Sequence, residues 1–343
     1  MNQLLLACES SCDETAFSLF DIYKNKILHS IINSQINIHE KNGGVIPDLA
    51  AHYHFKTILP LFIEITKEAA ISYDTIDFFA ATRGPGLPGA LLIGYTFTKS
   101  LAWSLKKPFL GINHLEGHIY SPFLNTQTIL FPHLCLSVSG GHTTLYNVAN
   151  FSSYTKLAET RDDAAGECFD KIAKLLGLPY PGGKFIEEIA QNQSILKNVR
   201  KYPVSTLEDG SISFSGLKTA VLQDIMKAGY YDVTEKKIKP TTPKEFIIEV
   251  ATSVQYVIGK MLSLFAEYHL KKHPKVTALS LVGGVACNQI IKNEFGKLTE
   301  KYNINFYFPE KKYCCDNADM IAFVAAQKIK EKRFHSSYQE SIF

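Results

Sequence analysis

The chain has 343 residues, 46% hydrophobic and 20% charged, with 36 basic residues against 33 acidic ones and a net charge of +3. This is ordinary globular composition with material for about two domains; it excludes a disordered chain and neither requires nor excludes a nucleic-acid partner. Seven cysteines, odd in number and without a C-x-x-C pair, predict reduced thiols in a cytoplasmic protein and argue against a disulfide scaffold or a zinc ribbon.

Leu5-Leu-Ala-Cys8 resembles a lipoprotein cleavage box, but no basic stretch precedes it and its apolar run is too short for a signal peptide. No stretch approaches the length of a membrane span. Leu4 to Cys8 is instead a buried-strand run, followed by Glu9-Ser-Ser-Cys-Asp-Glu-Thr15 and a second strand from Ala16 to Phe20. That turn puts Asp13, Glu14 and the Ser10/Ser11 pair at a strand end, where ligands of α/β sheets bind, although Ser and Asp also cap plain solvated turns. A third strand spans Lys26 to Ile32, and a helical period runs from Val45 to Ala70, with Pro60 expected to kink or split it. Strand Phe78 to Thr82 enters Gly84-Pro-Gly-Leu-Pro-Gly89 and an apolar helix from Ala90 to Leu105. This loop lacks the Lys-Ser/Thr of a Walker motif, so its glycines are read as packing glycines.

Strand Phe109 to Ile112 feeds Asn113-His114-Leu-Glu-Gly-His118. On a helix, His114 and His118 share one face and can grip one metal ion, a spacing that packing or surface histidines also produce. Apolar alternation on both sides of Ser137-Val-Ser-Gly-Gly-His-Thr143 predicts a hairpin. Its glycines would tolerate positive φ and let backbone N–H groups approach an anion, though many such hairpins bind nothing. After strand Tyr154 to Ala158, a helix is predicted to open at Arg161-Asp-Asp and run to Leu176, with Asp162 and Asp163 favoured in its first turn by the helix dipole. Asp170 lies deeper, beside Phe169 and Ile172, where an acid needs a partner.

Gly177 to Gly183 ends that helix and starts another, with Glu187 one turn in. Ser215 is the expected N-cap of the next helix, and 235–243 is a polar, Pro-bounded loop expected to be mobile. A long amphipathic helix (Phe246 to Lys271), strand Ala278 to Val282, loop 283–288, a helix to Glu300, strand Ile304 to Phe308, loop 313–317 and a last helix from Asp319 to Lys330 complete the chain. The order predicts two similar α/β halves.

Three turns, at 9–15, 137–143 and 282–288, occur in the order of the two phosphate loops and the adenosine loop of the actin-like superfamily, which includes sugar kinases and heat-shock ATPases. The finer pattern is Glu9-Ser-Ser-Cys-Asp-Glu-Thr15, Gly84-Pro-Gly86, His114-x-Glu-Gly-His118, Ser137 to Thr143, Asp162-Asp-Ala-Ala-Gly-Glu167 with Phe169-Asp-Lys171, Tyr180 to Gly183, Phe214-Ser-Gly-Leu-Lys-Thr219, Gly283-Gly-Val285 with Asn288, and Cys315-Asp-Asn317. In these letters, across about residues 3 to 330, the chain resembles the TsaD/Kae/Qri family of tRNA N6-adenosine threonylcarbamoyltransferases, formerly called O-sialoglycoprotein endopeptidases. Asn113, Arg83, Lys184, Ala286-Cys287 and Ala318 depart from the commoner family letters, and none is a proposed ligand.

The resemblance implies a two-lobed α/β fold of the actin-like/sugar kinase/heat-shock ATPase type with a ligand cleft between the lobes. Its N-terminal lobe would be residues 1–120, completed by the C-terminal helix 316–343, and its C-terminal lobe residues 121–315. It makes His114, His118 and Asp316 the ligands of one divalent metal ion, iron before zinc. Ser137, Val138, Ser139, Gly140, Gly141, Asp170, Gly183, Glu187 and Asn288 would hold threonylcarbamoyl-AMP. The catalytic base is not evident; Asp13 and Glu14 are candidates because their loop would face the phosphates. The partners implied are tRNA, a separate synthase that makes threonylcarbamoyl-AMP and, in the bacterial arrangement, a small paralogous subunit and an ATPase subunit. The bacterial arrangement is expected because no targeting peptide precedes the first strand.

A metalloprotease is disfavoured because Glu116 lies two residues after His114, about 200° round a helix, facing away from the metal. The standing alternative is an actin-like-fold ATPase or small-molecule kinase. Two basic groups, Lys197/Arg200/Lys201 and Lys236/Lys237/Lys239/Lys244, are candidate tRNA contacts or simply solvated charge.

Overall fold

The computed structural model describes residues 3–40, 44–125, 128–151, 153–191, 200–205 and 209–332. The chain divides into two compact units, unit 1 of residues 1–127 with 310–343 and unit 2 of residues 128–309. The borders read from the sequence are 120/121 and 315/316.

Unit 1 opens with strands β1 (Leu4–Glu9), β2 (Glu14–Asp21) and β3 (Lys26–Ser34). Helix α1 (Pro47–Glu68), β4 (Phe78–Gly84), α2 (Pro88–Ser104), β5 (Phe109–Asn113) and α3 (His114–Tyr120) follow. The sheet order is β3-β2-β1-β4-β5, an antiparallel meander extended by two strands parallel to β1. Phe17 and Leu19 of β2 pack with Phe62 and Ile65 of α1 on one face. Ser18 points the other way, toward the face on which the last helix packs. Helices therefore cover both faces, which is why β2 is buried throughout. Edge strand β3 has an exposed face instead, alternating from Lys26 to Ile32 and exposed throughout from there to Ser34. Helix α1 runs unbroken through Pro60.

Unit 2 repeats the plan. It contains β6 (His133–Val138), β7 (Thr143–Asn150), β8 (Ser153–Glu159), α4 (Ala165–Leu175), α5 (Gly182–Gln191) and α6 (Ser215–Lys227). A two-stranded hairpin, β9 (Tyr231–Asp232) and β10 (Lys237–Ile238), precedes α7 (Lys244–Lys272), β11 (Ala278–Val282), α8 (Gln289–Tyr302) and β12 (Asn305–Tyr307). The sheet order β8-β7-β6-β11-β12 matches that of unit 1, with β11 parallel to β6 and β12 parallel to β11. The last helix, α9 (Ala318–Lys330), returns to unit 1.

Four further local expectations need correction. Helix α7 is long and apolar enough to cross a membrane by length and composition, but two-thirds of its most apolar window is buried inside the protein. Val250, Val254, Ile258, Met261, Leu262 and Phe265 form the centre of the unit 2 core, each burial contributing about 1.5–3 kcal/mol. The 235–243 stretch is no open loop, because β9 and β10 pair across it and Asp232 accepts hydrogen bonds from the N–H groups of Thr234 and Glu235. Helix α4 starts at Ala165, after the two aspartates. Asp162 instead caps α6 from a distance, accepting from Phe214 N at 2.8 Å and Ser215 N at 3.4 Å, so Ser215 is the first helical residue and not the cap.

His133, at the start of β6, is fully buried with Nδ1 held 2.9 Å from Leu130 O, and burial pushes its imidazole down to about 4 despite that bond. The folded protein keeps it neutral while the unfolded chain takes up a proton below the ordinary value of about 6.5. Its contribution is therefore constant above pH 6.5 and is lost as pH falls from 6.5 toward 4, by about 3 kcal/mol in all. Denaturant titrations should show the stability of His133→Gln falling less steeply than wild type over that range; parallel curves would contradict the assignment.

Candidate active site

At the C-terminal ends of the parallel strands β1, β4 and β5, unit 1 gathers its polar side chains. Asn113 ends β5 and caps α3, its side chain accepting from Leu115 N at 2.8 Å, so His114 and His118 lie one helical turn apart on α3. Asp316, in the loop before α9, lies 3.0 Å from His118 Nε2 and 3.5 Å from His114 Nε2. One donor atom from each of the three falls within 4.8 Å of the others. Two imidazoles and a carboxylate converging in this way suit a divalent transition metal and leave coordination positions open.

The surroundings fit a cation. His114 Nδ1 lies 3.2 Å from Glu9 Oε2 and 3.1 Å from Ser11 Oγ, so in the neutral ring Nδ1 keeps the proton and Nε2 offers its lone pair toward Asp316. Burial opposes a charged imidazole, yet Asp316 and Glu9 outweigh it and lift His114 to about 9. Positive charge is thus favoured between two carboxylates. Burial would raise the Glu9 carboxyl too, but the adjacent His114 and the hydrogen bond from Ser11 hold it below its ordinary range.

The letters between the histidines anchor the helix that carries them. Glu116 points away from the ligand face, as its spacing predicts, and takes a 2.6 Å ion pair from Lys328 of α9. A Cβ on Gly117 would lie 2.9 Å from Met320 Cγ, so only glycine lets α3 sit this close to α9. Asn317 caps α9 through Met320 N at 2.9 Å, which fixes the loop holding Asp316.

Asp13 and Glu14 are buried at the start of β2. Burial first, then the charges of Asp316 and Asp13, push Glu14 well above the carboxylate range. Their loop is pinned from three sides. His54 of α1 bridges Thr15 Oγ1 at 2.7 Å and Cys12 O at 2.9 Å, Gln35 N donates to Asp13 O, and the glycines after β4 press against the loop. A Cβ on Gly86 would meet Ser11 O at 2.6 Å and one on Gly94 would meet Ser10 Oγ at 2.1 Å, so these are packing glycines.

The glycine turn of unit 2 differs from the expected tight hairpin. Residues 139–142 form a four-residue connection closed by Ser139 N to His142 O at 2.8 Å, and neither Gly140 nor Gly141 has positive φ. A Cβ at either would meet nothing within 4 Å. Neither backbone conformation nor packing asks for glycine here, and without a Cβ the main chain of the turn is open to approach from outside. The turn is buttressed from below, since a Cβ on Gly166 at the start of α4 would strike Ser139 O at 2.6 Å, and Gly283, at φ +91°, leaves no room for one against Val138 O at 2.4 Å.

Around the turn, half-buried Asp170 accepts from Gly182 N at 2.6 Å, the partner its place in the helix called for; desolvation raises its carboxyl even so. Gly183 packs on the Phe169 ring. Glu187 Oε1 accepts from Gln289 N at 2.9 Å, and the side chain of Asn288 caps α8 through Ile291 N and donates to Gln255. Thus Asp170 ties α4 to the start of α5, Glu187 ties α5 to the start of α8, and Asn288 ties that start to α7. Of the basic residues singled out in the sequence, Arg200 is neutralised by Asp224 and Glu249 and stacks on Phe246 at 4.1 Å, and Lys197 lies outside the described residues. Sequence reasoning passed over Glu9, His54, Thr82 and Lys328 as site-building residues. Only Glu9 carries a local signal, an acid ending an apolar strand.

A model of the TsaD family, described as tRNA N6-adenosine threonylcarbamoyltransferase, matches residues 26–323. Proteins of that name from Kosmotoga olearia and Caldicellulosiruptor bescii are each 41% identical, the first over 96% of this chain and 94% of its own length, the second over 98% and 96%. Among solved structures, T. kodakarensis HypF superposes with a TM-score of 0.64 at 15% identity, covering 98% of this chain and 49% of that one. The Acidaminococcus fermentans (R)-2-hydroxyglutaryl-CoA dehydratase component A gives 0.54 at 12% identity, over 96% and 99%. These likenesses identify the two-lobed, actin-like fold.

Metal analysis of purified protein should find a divalent ion in wild type and none in His118→Ala or Asp316→Ala. Glu116→Gln, which frees α3 from Lys328 without touching a ligand, should weaken metal affinity by roughly tenfold. Equal metal content in wild type and His118→Ala would refute the ligand set.

Proposed function

We propose that this chain, which belongs to the TsaD family of tRNA N6-adenosine threonylcarbamoyltransferases, takes its acyl group from threonylcarbamoyl-AMP. It delivers the group to the adenosine next to the anticodon in tRNAs that read codons beginning with adenine. The exocyclic amine attacks the carbamoyl carbon and loses a proton. The bond from that carbon to the phosphate oxygen breaks, and AMP leaves with the electron pair. The observation that carries this reading over an ATPase or kinase is the convergence of His114, His118 and Asp316, a donor set that a simple nucleotide hydrolase would leave idle.

Each group has a task. The open turn, Ser137 to Gly141, presents main-chain donors to the phosphate as charge builds on it. Asp170, Gly183, Glu187 and Asn288 frame the adenosine end. A bound divalent ion, iron or zinc, would supply Lewis-acid polarisation of the carbamoyl oxygen or an anchor for the threonyl carboxylate. Glu14 is the better of the two candidate bases, since a buried carboxyl raised above its usual range accepts a proton more readily than an ordinary one. Asp13 precedes it in the same pinned loop.

The reading also requires partners: a cytoplasmic synthase to supply threonylcarbamoyl-AMP, an ATPase subunit and a small paralogous subunit. Supporting the last is a stripe on α1, where Phe55, Leu59 and Ile63 stand four residues apart and 69%, 52% and 54% exposed. Three large apolar side chains on one helical face make a seam for a helix of that subunit.

Incubating the protein, a synthase and bacterial-type partner subunits with unmodified tRNA should yield threonylcarbamoyladenosine by mass spectrometry. Glu14→Gln should lower its rate by 10²-fold or more, roughly the contribution of a general base, with metal content unchanged. Robust ATP turnover without modified nucleoside under any partner combination would favour the kinase reading. Separately, Gly140→Arg should abolish binding of AMP while leaving the thermal melt intact, because the turn has space for the side chain; unchanged calorimetric titration would move the nucleotide elsewhere.

A further inference from the structure

Two motif lysines, Lys171 of Phe169-Asp-Lys and Lys218 of Phe214-Ser-Gly-Leu-Lys-Thr, have no part in the transfer chemistry. The fold brings them together. Helices α4 and α6 and the tip of the β9–β10 hairpin surround a cavity of about 240 Å³ lined by Lys171, Lys174, Lys218 and Lys236, with the Thr219 side chain between them. Asp163 accepts from Lys171 at 2.6 Å and from Lys218 at 3.3 Å, and Glu167 pairs with Lys171 at 2.9 Å. Four ammonium groups against two carboxylates leave a net charge of +2 (4 − 2), and among the described residues neither Lys174 nor Lys236 has an acidic partner. Lys236 holds φ +53°, a left-handed conformation that costs a lysine about 1–2 kcal/mol relative to glycine, so the hairpin keeps a cation where a cheaper residue would turn the chain.

We propose that this pocket binds a backbone phosphate of the tRNA substrate. The acid-tethered pair, Lys171 and Lys218, is pre-positioned, while Lys174 and Lys236 supply the unneutralised charge that a polyanion would release counterions to meet. The remaining lining is aliphatic, Leu175 and Leu222, with no aromatic ring on which a base could stack. That chemistry suits sugar-phosphate backbone and gives no means of reading sequence. Position agrees with the chemistry. Helix α4 begins against the glycine turn at Gly166 and reaches the pocket at Lys174, eight residues or about 12 Å along its axis. RNA held at the pocket thus lies within one short helix of the turn assigned to the donor phosphate. Of the two basic groups singled out in the sequence, only Lys236 takes part.

The inference rests on the transferase reading for the identity of the polyanion, and the test separates the two. In full-length protein with its partner subunits, Lys174→Glu/Lys236→Glu is compared with Lys237→Glu/Lys275→Glu, which makes the same charge change in unit 2 outside the cavity. The pocket variant should bind tRNA roughly tenfold more weakly, alike for every tRNA sequence, and its log affinity–log salt slope should flatten by about 1.5. AMP binding and melting temperature should match wild type. Equal tRNA affinity in wild type and pocket variant, with wild type still modifying tRNA, would overturn the pocket and leave the transferase standing. A control variant that weakens as much as the pocket variant would also overturn it, as a general effect of net charge. Wild type that neither binds nor modifies tRNA would overturn both.

Discussion

A carboxylate with no access to water holds one end of unit 1 together. Glu9 ends β1 fully buried, receives Ser11 N and the Thr82 hydroxyl at 2.5 Å each, and faces His114 at 3.2 Å. An unpaired buried charge costs several kcal/mol, so the three strand ends that supply these partners are held in one arrangement by the need to satisfy it. The orientation of His114 follows from that need, and with it the direction in which the metal-type trio opens. The same carboxylate would destabilise the fold if its partners moved apart, so the geometry of the site and the stability of unit 1 rest on one set of contacts.

The two units share a sheet order and use the same place in it differently. The β1–β2 connection is acidic, hydroxyl-rich and pinned by His54 and by Gly86 and Gly94 behind it. Its counterpart between β6 and β7 is bare main chain, buttressed by Gly166 and Gly283 and open above Gly140 and Gly141. One position in a repeated plan is therefore packed with acidic and hydroxyl side chains in one unit and left as open main chain in the other. Glycines separate into two physical kinds on this basis. Those beneath a loop leave no room for a Cβ, whereas those on top have open space around them.

Much of this was legible in the chain because the signals are local. Strand runs, the i, i+4 histidines and the Gly-Gly turn all lie within a few residues, and periodicity reads such spans well. What escaped is what acts across the sequence. Glu9 meets His114 over 105 residues, His54 reaches Cys12 over 42, and Asp162 caps a helix 52 residues away. A distant cap also explains why Ser215, the best local candidate, is not the N-cap: a carboxylate from elsewhere had already taken the first N–H groups. The positive-φ argument for Gly140 and Gly141 failed because two extra residues relax the turn.

The helix that completes unit 1 comes from the far end of the chain. His118 and Asp316 are 198 residues apart, and closing so long a flexible loop would cost about 5 kcal/mol in chain entropy. Unit 2 removes most of that cost before the contact forms. Its first strand is joined at Pro132 to Thr277, and Thr277 in turn to Asn305, so once its sheet has formed the entry lies about two strand spacings, roughly 10 Å, from the start of the last strand, and the exit at Pro309 follows four residues on. The inserted unit then acts as a short tether. Because Asp316 follows His118 by 198 residues, vectorial synthesis delivers the metal-type trio only after all of unit 2 has been made, so a product truncated before residue 316 could carry both histidines and the glycine turn yet never assemble a complete centre.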